Sequence, residues 1–287
     1  MARAPPAPAL MTSRSSWLHR DASVADALER RAARAALLAK ESITAAPLEF
    51  AAGLYRAQAR VATALAARGA PSGSLERDLG GFLRELDAIA RYARDSGPPG
   101  LAAEAVVFRK ERRDGAVETR AERLLAWWRG PRAGRTDYLS RALLRPYAET
   151  LAAAGVAPEP AKGPPVFGAC GSCGGPPWIA WRRSGSGDEA AQRLLGCGIC
   201  GAERHLDRIA CAGCGQTEPT RLAVFQTERH PAVRIEACDA CQRYVKAIDL
   251  TLDGRAIPEV DDLCSLSLDL WAAEQGYERL EPSLAGV

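Results

Sequence analysis

The chain has little of several residue types, and each shortage limits what the protein can be. No stretch of its 287 residues approaches the roughly 18 consecutive apolar positions of a membrane-spanning helix, so no membrane insertion is expected. Only four lysines occur, which argues against the clustered cationic face of a nucleic-acid-binding protein. Residues 1–20 contain arginine, proline and serine but no apolar segment, so they are predicted to be a disordered tail rather than an export signal.

Cysteine, in contrast, follows a regular pattern. Eight of the nine cysteines form four Cys-x-x-Cys pairs. The first cysteines of neighbouring pairs are 27 positions apart within a module, and corresponding cysteines of the two modules are 41 positions apart. The unit is therefore a two-pair module that occurs twice. The pairs are Cys170/Cys173, Cys197/Cys200, Cys211/Cys214 and Cys238/Cys241.

The spacing of these pairs predicts two metal sites. A Cys-x-x-Cys turn brings two sulfurs together, and two such turns supply the four thiolate ligands of a tetrahedral ion. Because the repeat unit ends after its second pair, we expect the first pair to share an ion with the second, and the third with the fourth. A cross-braced arrangement, first with third and second with fourth, is the alternative. Gly174, Gly201 and Gly215 follow three of the pairs and suit a positive φ, whereas Gln242 follows the fourth, where a looser turn is expected.

The residues between the pairs predict the structure of each module. Each reads as a metal-binding knuckle, a short strand, a polar turn, a second short strand and a second knuckle, which is typical of a zinc-ribbon or rubredoxin-like hairpin. The polar turns are placed at residues 184–188 and 227–231. A shift of 41 positions lays Arg193 on Arg234 and Trp181 on Leu222.

Other uses of the cysteines fit less well. Disulfide frameworks are typical of small secreted chains, and a redox Cys-x-x-Cys usually stands alone beside a βαβ unit. Cys264 is unpaired in an apolar run and is interpreted as a small buried residue. His205 and His230 lie near the pairs, but the eight cysteines already complete two ligand sets, so neither histidine is expected to be a ligand. Metal-bound thiolates also indicate a reducing compartment, which favours the cytoplasm.

The chain as a whole predicts an α+β fold with an N-terminal all-helical domain, two tandem rubredoxin-like or zinc-ribbon modules and a C-terminal helix. Apolar spacing, capping residues and Pro/Gly breaks place helices at 23–41, 47–68, 74–95, 101–109, 118–128, 136–154 and 260–275. The expected divisions are 21–155 (helical domain), 156–168 (linker), 169–206 and 207–255 (the modules) and 256–287 (C-terminal helix and tail). In the first helix, Arg30, Arg31 and Arg34 are expected to face solvent.

Nothing in the sequence indicates a catalytic centre. The helical part offers no nucleophile–base pair, phosphate-binding loop or metal cluster, and a closed site of four cysteines keeps no position for water or substrate. No catalytic residue is therefore assigned.

Four sulfurs accept zinc or iron, and iron would permit one-electron chemistry. The formal net charge is +3, and two divalent ions, each held by four thiolates, would each contribute about −2, giving about −1. The oligomeric state, including a homodimer, stays open.

Several segments around the cysteines carry a family resemblance. They are the four pairs with their neighbours, and Tyr244–Lys246, Val260–Leu263, Ser267–Asp269 and Glu274–Tyr277. On these residues the chain resembles the formate dehydrogenase accessory protein FdhE family. The resemblance covers residues 166–280, with a weaker match at Leu143–Pro146.

The resemblance implies a cytoplasmic assembly factor that binds the catalytic subunit of a molybdenum- or tungsten-containing formate dehydrogenase and helps it to mature. It also implies that the eight cysteines bind two ions, with iron favoured over zinc. Arg204 departs from the family pattern, which has an aromatic residue between the acidic residue and the histidine at this point. A nucleic-acid-binding zinc ribbon and a rubredoxin-like electron carrier are the alternatives. No nucleic acid is expected as a partner, and the residues that contact the client are not identified.

Overall fold

The computed structural model describes residues 23–113, 117–130, 137–160, 167–184 and 191–283. The expected tail at 1–20, most of the first polar turn and part of the expected linker lie outside these ranges. The predicted fold class is confirmed: a helical region is followed by a sheet that carries two four-cysteine clusters, and then by a C-terminal helix. No helix among the described residues is long and apolar enough to cross a membrane.

Seven helices in the described ranges form the N-terminal region. They are α1 Val24–Leu38, α2 Ala45–Ala66, α3 Leu75–Phe82, α4 Asp87–Ser96, α5 Pro99–Arg113, α6 Val117–Arg129 and α7 Tyr138–Ala154. Ser23 and Asp26 form a capping box at the start of α1, which satisfies two N–H groups that the helix leaves unpaired. The predicted single helix at 74–95 is wrong, because a turn at 83–86 separates α3 from α4. Gly80 and Gly81 weaken the helix just before that turn.

The core of this region lies around α7, where a proline is accommodated in the helix. Pro146 has no N–H, so the carbonyl of Ala142 one turn earlier has no intrahelical donor. The Gln58 side chain of α2 donates to that carbonyl instead, at 2.8 Å. Trp127 and Trp128 of α6 are both buried in this core.

A single sheet contains both modules. Its strands are β1 Pro177–Arg183, β2 Gln192–Cys197, β3 Glu203–His205, β4 Leu222–Gln226, β5 Val233–Cys238, β6 Arg243–Asp249 and β7 Glu278–Arg279. The order is β3-β2-β1-β6-β5-β4, with β7 beside β6. Each module therefore contributes three antiparallel strands, and β1 joins β6 in parallel. The outermost strands of the main order are β3 and β4.

The register shows which parts of the two modules correspond. Leu194 pairs with His205, and Ile235 pairs with Lys246, so β2–β3 and β5–β6 follow the 41-residue repeat. The expected match of Trp181 with Leu222 is wrong. Trp181 pairs with Leu194, whereas Phe225 pairs with Ile235, so Phe225 is the counterpart of Trp181. Fewer residues separate β4 from β5 than separate β1 from β2, and β4 begins correspondingly later in its module.

The two faces of the sheet are covered differently. Ile179, Trp181, Leu194 and Ile248 pack in one cluster with apolar residues of α1 and α2. On the opposite face, a smaller cluster includes Leu206 and other residues from the segment after β3. The helices thus cover one face, while the other is covered mainly by the chain between the two modules.

The C-terminal segment is not the single helix expected at 260–275. It consists of α8 Pro258–Asp261, a 3-10 turn at Asp262–Ser265 and α9 Leu266–Glu274. The fully buried Lys246 ammonium binds the carbonyl oxygens of Asp262 and Ser265, at 2.9 and 3.3 Å. It also pairs with the carboxylates of Asp262 and Asp269. Arg279 pairs with the same two carboxylates. Leu270 of α9 is exposed.

The first helix presents arginines to protein rather than to water. Arg31 is buried and pairs with Glu149 of α7 and Glu259 of α8. Arg34 pairs with Asp261. The solvent-facing prediction is therefore wrong for Arg31 and Arg34, because α7 and α8 pack against that side of α1, and it is right for Arg30, which is exposed.

Candidate metal centres

The structure brings the eight predicted cysteines together in two groups of four. The first set is Cys170, Cys173, Cys197 and Cys200, and the second set is Cys211, Cys214, Cys238 and Cys241. Within each set, all four sulfur atoms lie within 4.8 Å of one another. The first pair therefore joins the second and the third joins the fourth, in agreement with the expected grouping and against the cross-braced one.

The distances between sulfurs fit a tetrahedral ion. A metal–sulfur bond of about 2.3 Å gives about 3.8 Å between two ligands at the tetrahedral angle. In the first set, Cys170 Sγ and Cys200 Sγ are 3.7 Å apart, and Cys173 Sγ and Cys197 Sγ are 3.5 Å apart. The corresponding distances in the second set are 3.7 and 3.8 Å. All nine cysteines are free thiols, so the disulfide alternative is excluded in this structure.

The four knuckles share one backbone turn. In each, the N–H of the residue after the second cysteine donates to the carbonyl of the first cysteine, at 2.8–3.2 Å. Gln242 adopts the same left-handed conformation, with φ 55°, and its N–H makes this bond at 2.8 Å. The expectation of a looser fourth turn is therefore wrong. In two knuckles a backbone N–H also points at sulfur, from Ile199 to Cys197 Sγ and from Gly213 to Cys211 Sγ.

The electrostatics of the first set call for a cation. The pKa of the Cys170 thiol lies well below its usual range because its three neighbouring thiols donate hydrogen bonds to its thiolate. Burial raises the pKa of Cys197, and hydrogen bonding with Cys170 raises the pKa of Cys200. Four thiolates in this buried position need a positive charge among them, and a divalent ion supplies it.

The first set lies deep in the molecule. Cys173, Cys197 and Cys200 belong to the same core cluster as the buried residues of α2 to α7. The knuckle glycine Gly201 faces the Arg31–Glu149 ion pair. An ion in this set would therefore hold the sheet against the helical region as well as closing its own hairpin.

The second set lies at the surface. Cys214 is exposed and Cys241 is half-buried. Beside this set, the Phe167 ring packs over Gly215, and the Tyr277 hydroxyl donates to the Asp239 carboxylate at 2.5 Å. The two sets thus have the same donors and spacing but different access to solvent.

The remaining candidates lie outside both sets. Neither His205 nor His230 belongs to a cluster of metal-ligating groups among the described residues. Cys264 is half-buried rather than enclosed. Arg204 donates to the Gly168 carbonyl at 3.1 Å, so this departure from the family pattern ties the chain before the first knuckle to β3.

Sequence reasoning missed the buried ion network near the first set, above all Glu149 and Glu259, which both pair with Arg31 and Arg145. Their signal is weak because carboxylates at helical spacing are usually exposed.

Comparison with known proteins agrees with this architecture. A family model described as FdhE, C-terminal domain, matches residues 209–285. The protein FdhE homologue of Aquifex aeolicus is 36% identical over 117 residues, which is 41% of each chain. That of Pseudomonas aeruginosa is 38% identical over 119 residues, 40% of this chain and 38% of the relative. These alignments span about two fifths of the relatives' length.

Two further comparisons extend along most of the chain. The protein FdhE homologue of Rhizobium meliloti is 26% identical over 283 residues and 89% of each chain. The crystal structure of the FdhE protein from Pseudomonas aeruginosa superimposes with a TM-score of 0.63 at 24% identity, over 91% of this chain and 95% of that one, and it shows the same fold. Residues 209–285 thus match the FdhE C-terminal domain, and the chain as a whole is similar to the FdhE proteins.

Proposed function

We propose that the chain is a non-catalytic assembly factor that binds the catalytic subunit of a formate dehydrogenase in the cytoplasm and supports its maturation. The observation that carries the proposal is the pair of closed four-cysteine sets within an FdhE-like fold. Each set has four sulfur donors at tetrahedral spacing, which leaves no position for a substrate. A scaffold that presents a surface to a client fits this arrangement better than an enzyme does.

In this proposal the eight cysteines hold two ions, with iron favoured over zinc by the family resemblance. Either ion would crosslink its hairpin, and iron would add one-electron chemistry. The first set clips the sheet to the helices, because three of its cysteines lie in the helical core. The second set stiffens the exposed end of the sheet, where a client can approach.

The test is a pull-down between the full chain, loaded with metal, and a formate dehydrogenase catalytic subunit. We expect wild-type protein to retain the subunit and Cys200→Ser, in the buried first set, to lose it. Cys264→Ser is the matched control, because this thiol lies outside both sets. Circular dichroism and metal analysis would accompany each variant. No retention by wild-type protein, or full retention by Cys200→Ser or by chelated protein of unchanged shape, would overturn the proposal.

The exposure of Cys214 favours one second candidate, a rubredoxin-like electron carrier. Electron transfer to a partner is fastest when a ligand of the metal reaches the surface, and among the eight ligands Cys214 of the second set is the exposed one. Iron-loaded protein would then show visible absorbance that bleaches reversibly on reduction. A colourless zinc protein, purified with and without oxygen, would dismiss this candidate and leave the assembly role.

A further inference from the structure

A cleft opens on the face of the sheet that does not pack against the helices. Its volume is about 590 Å³. It lies between the two modules and is bordered by β4 on one side, and by the end of β3 and the following segment on the other. Val224 of β4 lines it with 59% of its surface exposed. Both outer strands of the main strand order therefore border one cleft.

The outer edge of β4 corresponds to the edge of β1 that pairs with β6. Arg182 of β1 pairs with Arg193, and Gln226 of β4 pairs with Arg234, the counterpart of Arg193 in the second module. The segment of β4 that matches Ile179–Arg182 is therefore Ala223–Gln226. In β1, that segment is covered by β6, which runs parallel to it. In β4, the equivalent edge has no strand beside it among the described residues.

The backbone of β4 is oriented for such a strand. The Asp239 N–H donates to the Arg221 carbonyl, so Arg221 faces β5. Hydrogen-bonding direction alternates along an antiparallel strand. The backbone N–H and C=O groups of residues 222, 224 and 226 therefore point away from β5. The corresponding atoms of β1 are in use: the Arg182 carbonyl accepts the Leu250 N–H at 2.9 Å.

The charge of the cleft selects the kind of segment that fits. Arg193 and Arg234 share one carboxylate, that of Glu236, so these three groups carry a net positive charge. Arg208 also lines the cleft, is exposed, and has no carboxylate partner among the described residues. Asp207 provides the other negative charge of the lining, and Arg182 of the lining pairs with Asp249, so four arginines face three carboxylates and a net positive charge remains.

We propose that the cleft binds an extended, acidic segment of a protein partner, which adds to β4 as a parallel strand in the way that β6 adds to β1. Backbone hydrogen bonds to residues 222–226 supply affinity, and the arginines select acidic side chains. The inference rests on the proposed function only for the identity of the protein that supplies the segment.

The probe is a fluorescein-labelled peptide of eight alternating Glu and Val residues, titrated with the metal-loaded full chain by fluorescence anisotropy. We expect micromolar binding that weakens as salt is raised, because the arginines are partly exposed. The matched peptides are alternating Lys and Val, which reverses the charge, and alternating Glu and Pro, which keeps the charge but removes strand hydrogen bonds. Equal binding of either control peptide, or no binding of the Glu–Val peptide, overturns the proposal.

Two variants test the site. Val224→Pro removes an N–H that points away from β5, so it leaves the β4–β5 ladder intact and should weaken peptide binding roughly tenfold. Val224→Thr keeps that N–H and should bind normally. Arg208→Glu should weaken binding by a similar factor, whereas Arg229→Glu, exposed in the turn after β4, should not. Unchanged affinity of both Val224→Pro and Arg208→Glu contradicts the site.

Other occupants give distinct outcomes. Stronger binding of a single-stranded oligonucleotide than of the Glu–Val peptide, or a dimer in sedimentation that Val224→Pro abolishes, would assign the edge to nucleic acid or to a second copy and overturn the proposal. If the formate dehydrogenase subunit is retained but the Glu–Val peptide does not bind, the cleft assignment fails while the proposed function stands. If the peptide binds but the subunit does not, the proposed function fails and the cleft assignment stands.

Discussion

The buried ion network between α1, α7 and α8 gives the sharpest test of how the helices and the sheet are joined. Glu149 accepts hydrogen bonds from Arg31 Nη1 at 3.0 and 2.8 Å and from Arg145 Nε at 2.7 Å. Glu259 contacts the same two arginines. Two cations and two anions therefore balance in a site that is almost closed to water.

Replacing Glu149 by Gln keeps the shape of the side chain and removes one of the two negative charges. Two buried guanidinium groups then share the single carboxylate of Glu259. Breaking a buried pair in this way costs about 3–5 kcal/mol. The matched control is Glu85→Gln, whose partner Arg68 is 44% exposed, and an exposed pair contributes at most about 1 kcal/mol.

The assay is urea unfolding of the metal-loaded proteins, followed by tryptophan fluorescence. We expect the midpoint of Glu149→Gln to fall by about 1–2 M, and that of Glu85→Gln to fall by less than about 0.5 M. Adding Arg31→Met to Glu149→Gln restores charge balance and should recover part of the loss. A cost for Glu149→Gln no larger than that for Glu85→Gln would refute the reasoning.

The pH dependence supplies an independent check. Burial opposes the charge of Glu149, but Arg31 and Arg145 outweigh it and lower the pKa of this carboxyl. A carboxyl with a lowered pKa contributes stability above its unfolded pKa of about 4.3, and this contribution disappears as the pH falls through the folded value. The stability difference between wild type and Glu149→Gln should therefore narrow below about pH 4. A difference that widens in acid contradicts this assignment.

Three further predictions concern the metal sets and the C-terminal segment. A chelator should remove one ion rapidly from the second set, where Cys214 is exposed, and the other only on unfolding; a single phase for both ions would count against this difference. Gln242→Gly should raise the free energy of unfolding in urea by up to about 1 kcal/mol, because glycine adopts φ 55° without strain, and Gln242→Val should lower it; the reverse order would show that the turn is not strained. Lys246→Met should lower the free energy of unfolding in urea by about 3–5 kcal/mol, because two buried aspartates then share Arg279 alone. The control Lys40→Met, at an exposed lysine, should change it by less than about 0.5 kcal/mol. Equal effects of the two variants would show that the buried lysine is not needed.

The local patterns of the sequence predicted much of this structure. Cysteine spacing indicated the grouping of the eight thiols, because ligand geometry depends on short-range turns. The capping residues at Ser23 and Asp26 located the first helix for the same reason. Both signals act over a few residues, so no knowledge of the tertiary fold is needed.

Features set by tertiary contact were not predictable in this way. Arg31 sits on the polar side of its helix, and only the packing of α7 and α8 shows that this side is buried. Lys246 binds the backbone carbonyls of Asp262 and Ser265, which lie 16 and 19 residues later in the chain. These contacts fall where the expected C-terminal helix is interrupted. The parallel pairing of β1 with β6, which makes one sheet of two modules, has no counterpart in the repeat itself.

That parallel pairing has a consequence for synthesis on the ribosome. Ile179 leaves the ribosome 67 residues before its neighbour Lys246, which is roughly 3–13 s at usual elongation rates. During that interval the first hairpin has one open strand edge that later becomes the centre of the sheet. Exposed edges pair readily with other chains, so the nascent protein is most prone to aggregate just before its second module emerges, and a message truncated ahead of residue 243 leaves that edge open permanently.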